Sequence, residues 1–184
     1  MRLACYLLSI PFAFGCSPPA HKQQQPSASA EAIPFENVKP DEKILMGRWG
    51  SIVVDGEYHD DDASPIHLKK GVTTDITYAR RNDASEIDGR FAVGHEDVAG
   101  DSLPDPDTTE MPGSDFASTD CAGGSTFKTK DGLQGRVACG KTSLGSGIVG
   151  TVRKAGRVYH LVCVEHGASA LASCVRYAEA FSPS

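Results

Sequence analysis

The sequence has no basic stripe, no apolar run long enough to cross a bilayer and no closely spaced cysteine pair, and each absence removes a class of function. The net charge is -6, and no arginine-rich or aromatic-basic stretch occurs, which argues against nucleic acid as a partner. The longest apolar stretch, Leu3 to Phe14, falls short of the roughly 20 residues a spanning helix needs. No C-x-x-C pair occurs, so a zinc site lacks its usual ligand spacing. No D-x-D-x-D-G followed by a distal glutamate occurs, so there is no EF-hand loop. The only asparagines are Asn37 and Asn82, and no aspartate follows Asp131.

What is present begins at the start of the chain. Met1-Arg2 supplies a positive charge, and about a dozen mainly apolar residues follow, as in the h-region of a signal peptide. The run ends in Ala13-Phe14-Gly15-Cys16. These residues resemble a bacterial lipobox, in which a small residue precedes a cysteine that is diacylated, cleaved and acylated again at its new amino group. Gly15 and Cys16 match, while Ala13 stands where Leu is usual and Phe14 where Ala or Ser is usual. The resemblance implies a signal peptide over 1–15, a palmitate-type anchor on Cys16 and residence in the cell envelope. Ser17, in place of the retention residue Asp, implies the outer membrane. The competing reading is ordinary cleavage nearby, leaving Cys16 as a free thiol. Residues 16–33 then read as the lipidated cysteine and a tether. No large apolar residue appears before Ile33, so nothing offsets the entropy of ordering. Such a coil has an r.m.s. reach of roughly 20–25 Å.

Residues 34–184 form one domain, of a size that can bury a core. Its charge is uneven: residues 55–120 hold 17 Asp/Glu against 5 Lys/Arg, and residues 132–184 hold 2 against 6. Of the six cysteines, Cys5 leaves with the signal and Cys16 takes lipid. Cys121, Cys139, Cys163 and Cys174 remain, an even set in an exported protein, and disulfides are the default there.

Strand patterns dominate the domain. Trp49 to Val54 is a short β-type run. Val72, Thr74, Ile76 and Tyr78 alternate with Thr73, Asp75 and Thr77, which predicts a half-buried strand with the first four on one face. Arg90 to Val93 is a further candidate. Thr126–Lys130 and Leu133–Cys139 flank Asp131-Gly132, a favoured two-residue hairpin turn. Ile148–Arg153 and Arg157–Val164 flank Lys154-Ala155-Gly156 and predict a second hairpin. The period then changes: Leu171, Cys174, Val175 and Ala178 fall on one face of a helix. The fold class is therefore α+β, an antiparallel sheet with a C-terminal helix packed on it and two disulfides. The strand-then-helix ending resembles small secreted α+β domains of the PsbP-like kind, which implies fold alone. The last strand puts Tyr159, Leu161 and Cys163 on one face and Val158, His160, Val162 and Val164 on the other. A helix on the Cys163 face gives bridges 163–174 and 121–139. A helix on the Val162 face would favour 139–163 instead. Residues 99–124 lack periodicity, and a structureless stretch of that length is either functional or mobile.

Three motifs invite a chemical reading. Gly135 to Thr142 matches the P-loop spacing, but that motif must open a helix whose N–H groups hold phosphate. The glycine-rich residues 143–150 predict instead a strand ending in a turn. Gly100-Asp101-Ser102-Leu103 resembles the nucleophile block of GDSL esterases. That resemblance implies a serine hydrolase using Ser102, with Glu165-His166 as a conceivable base. The later oxyanion asparagine and D-x-x-H block are missing. The acidic runs His59-Asp60-Asp61-Asp62 and His95-Glu96-Asp97, with Asp101, Asp105 and Asp107, could supply oxygen ligands to calcium. A solvated acidic surface is the plainer reading. His160 is expected to be a half-buried strand residue. No nucleophile, base and orienter come together, and no cofactor is implied. The leading reading is a membrane-anchored envelope lipoprotein with a non-enzymatic binding or structural role and an envelope protein as a possible partner. The alternatives are an envelope serine hydrolase and a calcium-dependent binding domain.

Overall fold

The computed structural model describes residues 42–61, 66–81, 86–113, 116–121 and 123–184. The signal segment, Cys16, the tether and residues 34–41 lie outside the described residues. The strands are β1 (Glu42–Gly47), β2 (Gly50–Asp55), β3 (His59–Asp60), β4 (Thr73–Arg81), β5 (Ile87–Asp97), β6 (Ala117–Thr119), β7 (Thr126–Lys128), β8 (Gln134–Thr142), β9 (Gly145–Lys154), β10 (Arg157–Glu165) and β11 (Ser182–Pro183), with one helix, α1 (Ala170–Glu179). A large sheet has the order β3-β4-β5-β10-β9-β8-β6, and β7 also pairs with β8; a small sheet has the order β1-β2-β11. Every pairing is antiparallel. Among the described residues no helix is long and apolar enough to cross a membrane.

The large sheet is apolar on both faces, and each face has its own cover. One face carries Tyr78, Phe91, Val93, Val137, Ile148, Val152, Tyr159, Leu161 and Cys163, packed with Cys174, Tyr177 and Ala178 of α1 and Ile52 and Val54 of β2. Trp49 stacks on Phe181 there, with ring centroids 6.0 Å apart. This is the helix face. The opposite face carries Ala92, Val149, Val162 and Val164 beneath Ile66, Leu68, Met111 and Phe116. Irregular chain covers it, so it is the loop face. A covering loop brings unpaired carbonyls, which need donors. Arg153 supplies them: its guanidinium donates to the carbonyls of Val98 (2.7 Å), Ser102 (2.9 Å) and Gly100. Thr151 Oγ1 donates to Pro104 O at 2.8 Å. The unpatterned stretch from 99 is thus a layer of the fold.

Both disulfides take the pairing that follows from a helix on the Cys163 face. Cys121–Cys139 joins the chain beside β6 to β8, and Cys163–Cys174 joins β10 to α1, with Cα separations of 5.3 and 5.5 Å. The competing 139–163 bridge is geometrically closed off. Cys139 pairs with Ile148, and Ile148 with Cys163. The two cysteines are therefore two strand spacings apart, roughly 9–10 Å, beyond disulfide reach.

Three local expectations are corrected. The Asp131-Gly132 hairpin has a longer connection: Gly132 N donates to Thr129 O at 2.8 Å and Thr129 N to Leu133 O at 2.9 Å. Only Gly132 of the two has positive φ (80°), which is the three-residue turn with a bulge rather than the two-residue one. The second hairpin is the tight one: Lys154 pairs with Arg157, leaving Ala155 (φ 50°) and Gly156 (φ 81°) as the loop. The strand over 73–81 also does not keep one face. A register shift between Thr74 and Ile76 bulges Asp75, so Ile76 and Tyr78 pack on the helix face. Thr74, paired with Gly94 before the bulge, falls on the loop face.

Two outcomes are expected. Ala155→Asn replaces a residue strained at positive φ by one that tolerates it, and should raise unfolding free energy by about 0.5–1 kcal/mol in urea titrations. Cys174→Ala and Cys139→Ala should each cost about 3 kcal/mol. Hydrogen exchange should show the Cys174 variant loosening mainly α1, and the Cys139 variant loosening the chain around β6.

Candidate functional site

The large sheet holds two buried ionic networks, one on each face, and a cleft at one end. On the helix face, Glu165 ends β10 with its side chain buried. It accepts hydrogen bonds from Tyr58 Oη and Arg80 Nη2. Arg80 Nη2 also reaches Asp88 Oδ2 at 3.1 Å, and its guanidinium lies 5.6 Å from the Tyr58 ring centroid. Tyr177 of α1 packs edge-on against Tyr58 at 6.4 Å, and its hydroxyl accepts from Asp55 N at 3.2 Å. A glycine is required beneath this group: a Cβ at Gly89 would sit 2.7 Å from Tyr58 Oη and 3.0 Å from Glu165 Cδ. Burial pushes the Glu165 carboxyl above its ordinary range, opposed by the Tyr58 hydrogen bond and the Arg80 charge. Burial, then the Glu165 charge, pushes the Tyr58 and Tyr177 hydroxyls up.

On the loop face, His160 is fully buried, which corrects the half-buried position expected for it. Its Nε2 lies 3.0 Å from Glu96 Oε1 and its Nδ1 3.1 Å from Glu110 Oε1. Lys69 closes the ring: its Nζ is 2.9 Å from Glu96, and its backbone N donates to Glu110 Oε1 at 3.3 Å. Both imidazole nitrogens face carboxylates, Glu96 on one side and Glu110 on the other, so a ring N–H on either side has an acceptor. Burial raises the Glu96 carboxyl, but hydrogen bonds and charge from Lys69 and His160 outweigh it and hold it below its ordinary value. Glu110 belongs to the short 3-10 turn Thr108–Glu110, capped by Asp107, which accepts from Thr109 N at 3.0 Å. Those hydrogen bonds hold the Asp107 carboxyl below its ordinary range. The network therefore clamps the covering loop to the sheet.

The cleft, of about 160 Å³, opens where β5 begins and β10 ends, and is lined by Ile87, Gly89, Arg90, Pro112, Leu144, Val164 and His166. Among these described residues the walls are mainly apolar, and the polar side chains are Arg90 and His166.

The residues singled out by motif scatter through this architecture. Ser102 is exposed on the covering loop, with its carbonyl held by Arg153. Arg153 pairs with Val158, and His166 lies eight residues further along β10, roughly 26 Å away at strand rise. Glu165 turns to the opposite face and is occupied by Arg80. Neither residue of that pair can serve Ser102. The P-loop match is β8 running into a turn and then β9. Its glycines lie under rings, Gly135 under Phe127 and Gly140 under Phe116. Several of the acidic residues are paired within the fold: Asp97 with Arg157 at 3.0 Å, Asp105 with Arg136, Glu96 with Lys69. Among the described residues no group of three or more His, Cys, Asp or Glu is placed to hold a metal ion. Glu110, Arg80 and Arg90 had no spacing signal, since their partners come from distant segments. No protein-family model matches the chain, and no curated protein is similar to it at a significant level.

Glu165 gives a signed pH effect. A carboxyl whose folded pKa is raised binds more protons folded than unfolded, so its contribution is full below the unfolded value, near 4.5, and is lost as pH rises through the folded value. Glu165→Gln should remove that decline, read as a flatter pH dependence of urea stability than wild type between pH 4 and 7. Glu165→Ala should cost about 3–5 kcal/mol at neutral pH, because Arg80 loses its buried partner.

Proposed function

We propose that the chain is an exported envelope lipoprotein, anchored to the outer membrane through Cys16, whose folded part binds or supports another component and catalyses nothing. The observation that carries this reading is the pair of disulfides, 121–139 and 163–174, in a chain that begins with an apolar run ending in Gly15-Cys16. Disulfides form and persist in oxidising compartments, and an acylated N-terminal cysteine is the means by which a domain there stays at a membrane. The non-enzymatic half of the reading is supported by how the buried acids are used. Glu165 and Glu110 are surrounded by donors from their own fold, and each joins segments that would otherwise separate. A catalytic carboxylate needs access to a substrate proton; these two have little.

Cells expressing wild type and fed radioactive palmitate should yield labelled protein in the membrane fraction, and Cys16→Ala should yield none. Unlabelled wild type, or a mature amino terminus at another residue, would overturn the anchor.

A further inference from the structure

The cleft at the β5 and β10 ends has a composition that departs from the rest of the molecule. The chain carries a net charge of -6, yet none of the described residues that line this cleft is a carboxylate. We propose that it is a binding site for a small carboxylate with a compact apolar body, a single aromatic ring or a branched chain, and that Arg90 receives the carboxylate. The proposal deepens the binding half of the function above and is independent of the anchor.

Size sets the body of the ligand. The cleft's volume of about 160 Å³ is close to the roughly 150 Å³ of an apolar cavity that holds benzene. Ile87, Pro112, Leu144 and Val164 supply its apolar walls. Leu144, at the β8–β9 turn, is one of three large apolar side chains that remain exposed among the described residues. A ring seated in the cleft would cover it.

Charge sets the head group. The Arg90 side chain is 19% exposed, and the carboxylate beside it, Asp61, is 3.8 Å away, too far for a hydrogen bond. Asp61 is itself buried, and its Oδ2 has no hydrogen-bond partner. The pair is thus loose on both sides: Arg90 has charge to steady it but keeps donors of its planar fork for another acceptor. A guanidinium fork fits a carboxylate through two parallel N–H bonds. Asp61 holds Arg90 in place without occupying it. His166, exposed at the rim, offers a further N–H toward the same anion. An amine would meet Arg90 with like charge, and an alcohol would forgo the charged half of the contact.

The test uses the disulfide-bonded mature chain with benzoate, benzyl alcohol and benzylamine as matched probes, followed by methyl NMR of Val164, Leu144 and Ile87. Benzoate should shift these methyls and saturate with a Kd of about 1 mM, reasonable for so small a ligand. Benzyl alcohol should bind at least about tenfold more weakly, and benzylamine should not bind. Arg90→Gln should abolish the preference for benzoate. Arg90→Lys keeps the charge without the fork and should weaken benzoate by about tenfold. Leu144→Trp, at an exposed turn, should crowd the cleft and weaken every probe while leaving the melting temperature near that of wild type. Absence of benzoate binding, equal affinity for benzoate and benzyl alcohol, or undiminished benzoate affinity in folded Arg90→Lys would each overturn the proposal. Such a failure would leave palmitate labelling of Cys16 untouched, so the two readings fall separately.

Discussion

Strand β10 is buried along almost its whole length, on both sides at once, and that double burial governs the rest of the molecule. Tyr159, Leu161, Cys163 and Glu165 face the helix; Val158, His160, Val162 and Val164 face the loop. Hydrogen bonds to β5 on one side and β9 on the other satisfy its backbone, so both faces are free to be apolar. A strand of this kind reads as a near-continuous hydrophobic run and leaves two surfaces to be kept from water. On one side the chain places regular structure, α1 and the small sheet. On the other it places a segment with neither period nor length for an element of its own. The two covers are not equivalent. A helix satisfies most of its own hydrogen bonds, whereas a covering loop must borrow donors, and Arg153 and Thr151 lend them.

The same asymmetry explains where the buried charges sit. Each cover is fastened by an acid that β10 or the loop carries into the interior. Glu165 gathers Tyr58 and Arg80 from segments well before it, next to Tyr177 of the helix. His160 lies between Glu96 of the neighbouring strand and Glu110 of the loop, each within hydrogen-bond reach of one ring nitrogen. Buried ion pairs contribute less to net stability than their Coulomb energies suggest, because desolvation offsets the attraction. Breaking one is nonetheless expensive. They therefore act as selective fasteners: alternative packings of the loop or of the strands would strand a charge away from water.

The unequal charge of the two halves has a related origin. The acidic first half and the mildly basic second half meet across the fold, as Asp97 with Arg157, Asp105 with Arg136, and Asp55 and Glu42 with Arg176. Residues that look in sequence like calcium-binding loops are in part the counter-charges of strands β8 and β10. In the cleft this mutual neutralisation is incomplete. Arg90 has one acid, Asp61, at ion-pair distance but beyond hydrogen-bond reach, and the unused donors are what a ligand could use.

Much of the architecture was legible in the residues. Period-two alternation identified β4 and β10, the hairpin turn before β10 identified β9, and the switch to period 3.6 identified α1. The alternation of β10, together with the apolar face of α1 bearing Cys174, tied the pairing to the face the helix covers, because side-chain direction follows from local period; the helix lies on the Cys163 face and both bridges of that alternative form. The short strands β1, β3 and β11 gave no signal, since two to six residues of mixed polarity are indistinguishable from loop. The bulge at Asp75 reversed part of a face because one extra residue does so in a strand whose period is two. Which hairpin was tight depended on register, not on the turn dipeptide alone. Local sequence therefore determined the elements and narrowed the cysteine pairing to two alternatives, between which the face of β10 covered by the helix decides. Tertiary structure alone decided that residues beyond 99 form a layer, that His160 lies between two glutamates, and that Arg90 lines a cleft with its one acid beyond hydrogen-bond reach. Those facts depend on residues roughly 30 to 64 positions apart, and pairing at that distance is set by how the whole core closes rather than by any spacing along the chain.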